Sequence, residues 1–159
     1  MQTTRNNKRH THIGNQLSEL YGSDRVGWLD QTVALIKQRR FRELDYGHLR
    51  EYLLYWARRD RQEVRYRLLA LLTNLLKIRF AKRCKKKWEL ALLHQQFQMK
   101  DVIESPSLKR LAEKRLRRVY PLAVRKVAAE LGLPLSRLPQ KCSYTIHDLL
   151  AYERHGSNG

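Results

Sequence analysis

The sequence predicts an all-α fold, a single compact bundle of about five main helices plus a short C-terminal helix. Apolar residues recur every three or four positions through most of the chain, the mark of helices with one buried stripe. Hydrophobic residues make up 42% of the sequence against only 7 Gly and 4 Pro, which argues against a disordered, collagenous or loop-dominated chain. At 159 residues the length fits one domain. That domain is expected to span residues 17–152, between a flexible basic tail at 1–16 and a flexible tail at 153–159.

Asp24 is an N-cap candidate, and Val26, Leu29, Val33 and Ile36 form the stripe of a first helix ending near Arg39 or Arg40. Asp45 is a second N-cap candidate, opening a helix from Tyr46 to about Arg58 with Leu49, Tyr52, Leu53 and Trp56 inward. After the link RRDRQ, the residues Val64, Leu68, Leu71, Leu72, Leu75, Leu76 and Ile78 make an apolar face broad enough for a central helix. RFAKRCKKK interrupts it. Trp88, Leu92 or Ala91, Gln95 and Met99 resume the spacing up to Ser105 and Pro106, where proline should disrupt the helix. Ser107 can cap the next helix, whose stripe is Leu111, Ala112, Leu116, Val119, Tyr120, Ala123, Val127 and Leu131. Pro121 should bend it, and Gly132 should end it as a left-handed cap. A loop paced by prolines leads to a short helix capped by Thr145, with Ile146, Leu149 and Leu150 inward. Trp28, Trp56 and Trp88 read as core or core-edge residues.

Cys84 and Cys142 form no Cys-x-x-Cys pair, so neither a disulfide framework nor a thiolate zinc cage is written here, and a reducing cytoplasm is the expected compartment. No apolar segment approaches the roughly 20 residues of a membrane span, and the first fifteen residues lack an apolar export core.

Charge is the outstanding feature. The 33 Lys and Arg against 15 Asp and Glu give a formal +18, where solubility asks a magnitude of roughly 2 to 8 of a small domain. Residues 1–60 carry +4, 61–100 carry +9 and 101–159 carry +5. Lys77, Arg79, Lys82, Arg83, Lys85, Lys86 and Lys87 follow one another without an intervening acid. Lys109, Arg110, Lys114, Arg115, Arg117 and Arg118 form a second cluster interrupted only by Glu113, with Arg110, Lys114, Arg117 and Arg118 on one helical face. Such runs are often ordinary solvated faces. Brought onto one side they would form a strip able to neutralise phosphates. Tyr55 and Tyr66 stand beside arginines, where a ring can stack on a base or simply cover the edge of a core.

Chemistry finds little support. His10-x-His12 needs a third ligand to hold a metal, and no His-Glu-x-x-His helix, phosphate loop, dinucleotide turn or nucleophile elbow occurs. Glu43 with Asp45 and Asp101 with Glu104 are the nearest carboxylate pairs, and both have capping or ion-pair readings. No catalytic residue, metal or cofactor is expected.

ELYGSDRVGWLDQTVALIKQRRFRELDYGHLREYL (19–53), LLTNLLKIRF (71–80), SPSL (105–108) and GLPLSRLPQKCSYTIHDLL (132–150) carry a resemblance. Through them the chain resembles the bacterial domain-of-unknown-function family twenty-nine. The resemblance implies an all-α fold and no assigned activity. Asp24, Trp28, Leu44, Asp45, His48 and Leu49 match the family pattern, which makes Asp45 and His48 a candidate site pair. The chain departs from the family in having Asn74-Leu-Leu-Lys-Ile78 where members often carry His-Leu-Leu-Lys-Trp, and in its strong basicity.

The leading expectation is non-enzymatic binding of nucleic acid or another polyanion through Lys77 to Lys87 and the Lys109 to Arg118 face. The alternatives are an interaction module docking an acidic partner, and a metal-dependent hydrolase or nuclease using Asp45, His48 or the Asp101 and Glu104 pair.

Overall fold

The computed structural model describes residues 16–83 and 85–152. His10, His12, Cys84, His155 and both expected tails, except for residue 16, lie outside them. The described residues are all-α: α1 (residues 16–23), α2 (Arg25–Lys37), α3 (Tyr46–Phe80), α4 (Lys85–Val102), α5 (Pro106–Leu131) and α6 (Ile146–Ala151), with 3-10 turns at Phe41–Glu43 and Leu135–Arg137. Among them no helix is long and apolar enough to cross a membrane. The chain divides between Ala57 and Arg58, within α3, into two compact units.

In the first unit, Leu17, Trp28 and Leu35 form the core, with Leu20, Tyr21, Leu29, Leu44, Leu49 and Tyr52 packed against it. Asp24 caps α2 by accepting from the Gly27 N–H at 3.0 Å. The face that α2 buries is Trp28, Thr32 and Leu35, whereas Val26, Val33 and Ile36 are exposed. The sequence holds two interleaved stripes at helical spacing, and the one containing the large indole goes inward because it removes more apolar area from water. Leu53 and Trp56 are exposed as well, leaving Leu49 and Tyr52 to make the contact from α3.

α3 runs unbroken from Tyr46 to Phe80, so the expected link at RRDRQ is helical. Arginine and glutamine are good helix formers, and nothing in those five residues breaks a helix. The second unit buries the expected face of α3 almost completely: Val64, Leu68, Leu71, Leu72 and Leu76 are each 0% exposed. Against it pack Leu92 and Met99 of α4 and the stripe of α5 from Ala112 to Ala128.

The α4–α5 boundary differs in detail from expectation. Pro106 starts α5 at its first position, following Ser105, because proline's fixed φ suits a first turn and the amide it lacks would be unpaired there anyway. α5 continues through Pro121 and ends at Gly132, whose φ of 61° and N–H to Ala128 O form the expected left-handed cap. α6 carries a full capping box, with the Asp148 N–H donating to Thr145 Oγ1 and the Thr145 N–H to Asp148 Oδ2. Its far end is closed by buried Gln96, whose Nε2 donates to Leu149 O at 2.8 Å and Tyr152 O at 3.1 Å. α6 packs on both α4 and α5.

α2 ends on the same left-handed device with the wrong residue for it: Arg39 has φ 56°, and the Arg40 N–H returns to Leu35 O at 2.9 Å. A Cβ added at Gly132 meets nothing within 4 Å, so replacing this glycine tests the backbone alone. Gly132→Ala is expected to lower unfolding free energy by about 1–2 kcal/mol in urea denaturation, while Arg39→Gly leaves stability unchanged or raised.

Candidate anion-binding surface

Lys77 leaves the surface. It is 6% exposed, its Nζ pairs with Glu130 of α5 and sits 4.0 Å above the Trp88 ring centroid. Its charge is locally compensated, so it stiffens the α3–α4–α5 packing and projects little field outward.

The remaining members of the first stretch are exposed. Arg79, on the last turn of α3, donates from Nη1 to the Tyr144 hydroxyl at 3.3 Å. Lys82 and Arg83 occupy the connector after α3. With Arg137 they rim a hollow of about 660 Å³ floored by Phe80, Ala81, Leu131 and Leu133. Lys85, Lys86 and Lys87 are the first three residues of α4. Unpaired amides and the macrodipole make that end of a helix positive, so three lysines there are each unfavourable by about 0.3–1 kcal/mol in the absence of an anion. Lys85 also shares a hollow of about 550 Å³ with Arg79, Tyr144, Glu89 and Asp148, where the two carboxylates temper the field.

In the second stretch Lys109, Arg110, Lys114, Arg117 and Arg118 are exposed. Arg115 is half-buried and donates to Arg61 O at 3.1 Å. Lys109, Glu113 and Arg117 line a groove between α4, α5 and α6, and Arg110, Lys114 and Arg118 follow the adjoining stripe of α5. None of the ion pairs between described residues uses Lys82, Arg83, Lys85, Lys86, Lys87, Arg110, Lys114, Arg117 or Arg118.

Arg79 and Lys85 of the first stretch and Arg117 of the second are grouped around Tyr144, in the segment before α6. Arg79 holds the Tyr144 hydroxyl, Lys85 lines the hollow on that side, and Arg117 lines the groove on the other side of Tyr144. Arg117 also acts on the Cys142 thiol, which burial nevertheless pushes up and so keeps from being a ready nucleophile. Arg137, placed beside Lys82 and Arg83, was invisible as a partner in the sequence because only the turn after α5 brings it there. Tyr66 is 61% exposed and Tyr55 57%.

Asp45 and His48 form a different kind of site. Asp45 caps α3 through the His48 N–H at 3.2 Å, and its other oxygen holds His48 Nδ1 at 2.5 Å. Ser18 Oγ lies 3.3 Å from the same nitrogen, and Tyr21 stacks on the imidazole at 4.2 Å. The Ser18 contact and the Tyr21 stack join α1 to the start of α3. Glu43 is buried and held by Arg40, Nε to Oε1 at 2.7 Å. Asp101 and Glu104 are exposed. Among the described residues no three of His, Cys, Asp and Glu are grouped to hold a metal ion.

Tyr120, beneath Tyr144, donates to Pro139 O at 2.9 Å, and burial, reinforced by Tyr144, pushes its phenol up to about 12. The unfolded phenol ionises near 10, so the stability it contributes is complete below pH 10 and is lost as pH rises toward 12. In urea titrations at pH 10 to 12, Tyr120→Phe is expected to flatten that decline relative to the natural chain. At pH 7 it is expected to cost about 1 kcal/mol for the lost hydrogen bond.

A family model described as Domain of unknown function DUF29 matches residues 20–153. No curated protein matches the chain, and no solved structure does.

Proposed function

The chain belongs to the DUF29 family, domains of unknown function, and we propose that this member is a non-enzymatic protein binding nucleic acid through its phosphates. The surface consists of Lys82, Arg83, Lys85, Lys86 and Lys87 with Arg79 and Arg137, continued by Arg110, Lys114, Arg117 and Arg118. The observation that supports this reading best is the start of α4. Three consecutive lysines occupy a helix end whose own dipole repels them, beside two more cations in the connector, and no described ion pair relieves any of them. Phosphates placed there gain both the lysines and the positive helix end. Displaced counterions add a salt-dependent driving force that carries no sequence preference.

This arrangement separates folding from binding. Replacing the three lysines by glutamate (Lys85→Glu, Lys86→Glu, Lys87→Glu) improves the dipole interaction and should raise the melting temperature. It should also abolish association with a labelled duplex or RNA oligonucleotide at low salt. The natural chain is expected to bind at about 50 mM salt and to lose most of its affinity by about 200 mM, with a log–log slope of about 0.9 per phosphate contact. Lys77→Met is expected to leave affinity and slope unchanged, since that ammonium faces Glu130 and Trp88. Absence of binding at low salt, or a triple variant that melts higher and still binds as well, refutes the proposal.

A further inference from the structure

The groove between α4, α5 and α6 has a volume of about 1020 Å³ and a lining more apolar than polar. Leu93 of α4, Ile103 in the turn directly after it, Leu116 of α5, and Ile146 and Leu150 of α6 line it, while Lys100, Lys109 and Arg117 stand at it against one carboxylate, Glu113. From Leu93 to Ile103 the wall is about 15 Å long, close to three helical turns. At 3.6 residues per turn, Leu90, Phe97 and Leu93 lie on the arc of α4 directly beside Lys100, Gln96 and Ile103. Those first three are exposed at 59%, 68% and 47%. The groove therefore opens onto an uncovered apolar stripe, and Leu93 belongs to both. Apolar surface of this kind, rimmed by charge, marks an interaction site.

α6 shows what the channel accepts. It is itself a helix lying against both α4 and α5, with Ile146 and Leu149 buried between them. We infer that the remaining length of the groove takes a second helix, an acidic amphipathic segment of a partner protein, laid alongside α4 with its apolar residues on Leu93, Ile103 and Leu150 and its carboxylates toward Lys100, Lys109 and Arg117. Anchors at i, i+3, i+4 and i+7 match a groove of this length. The rim charge selects an acidic partner and works against a second copy of this chain, whose formal charge is +18. The site shares Arg117 with the phosphate-binding surface but differs from it in chemistry, because it needs apolar anchors that a nucleic-acid backbone lacks.

The test uses the whole chain and a fluorescent synthetic peptide about four helical turns long, with leucines at i, i+3, i+4 and i+7 and glutamates on the flanks. A peptide of identical composition with the leucines spread around the helix, and polyglutamate of equal charge, serve as comparisons in anisotropy titrations. The patterned peptide is expected to bind at least about tenfold tighter than either. Leu93→Glu, at a half-exposed position that tolerates a polar side chain, is expected to weaken it by about tenfold or more, the effect of losing one anchor. Circular dichroism should show the variant as helical as the natural chain, and the same substitution should leave oligonucleotide binding unchanged. Lys100→Glu with Lys109→Glu should weaken the patterned peptide as well. Equal binding of all three peptides, no binding of the patterned one, or indifference to Leu93→Glu overturns the inference.

Discussion

Carboxylates are the limiting resource of this molecule. With 15 acidic side chains against 33 basic ones, every carboxylate placed in a structural role leaves the surface with one fewer counter-charge. The carboxylates of Asp24, Asp45 and Asp148 accept backbone N–H groups at the starts of α2, α3 and α6. Glu43 holds Arg40, Glu63 holds Arg67 and Glu130 holds Lys77. The caps meet amides that would otherwise go unpaired, and Glu130 meets the buried Lys77 ammonium. The consequence is a surface on which no ion pair between described residues uses Lys82, Arg83, Lys85, Lys86 or Lys87, or Arg110, Lys114, Arg117 or Arg118.

That constraint ties stability to the proposed function. The same three lysines that strain the start of α4 give the proposed nucleic-acid surface its strongest anion site, and the Glu130 carboxylate that removes Lys77 from that surface secures the seam where α3, α4 and α5 meet. Tyr144, in the segment before α6, is shared by members of both basic stretches. Tyr144 takes a hydrogen bond from Arg79 on one side and lines the groove with Arg117 on the other, above a Tyr120 whose phenol burial keeps neutral.

Much of this was legible in the sequence. The apolar faces from Val64 to Ile78 and from Ala112 to Val127, the left-handed cap at Gly132 and the cap at Thr145 all follow from local spacing and residue type, and the structure has them. The face of α2 was not legible, because Val26, Val33, Ile36 and Trp28, Thr32, Leu35 are both helical stripes and only packing decides between them. The continuity of α3 through RRDRQ is hidden by the polarity of those five residues, although polarity does not end a helix. Above all, Lys77 looks identical to its neighbours in sequence. Its burial depends on Glu130, 53 positions away along the chain and brought to it by the packing of α5 on α3. Arg137 joined Lys82 and Arg83 for the same long-range reason.

The most direct test of the charge account is the dependence of unfolding free energy on ionic strength. Raising salt from about 0.01 M to about 1 M shortens the screening length from about 30 Å to about 3 Å, which relaxes repulsion among surface cations and weakens the caps and ion pairs together. A surface left uncompensated predicts that stability at neutral pH rises steadily with sodium chloride across that range. A flat or falling curve would mean that the cations are already balanced, and would contradict the account.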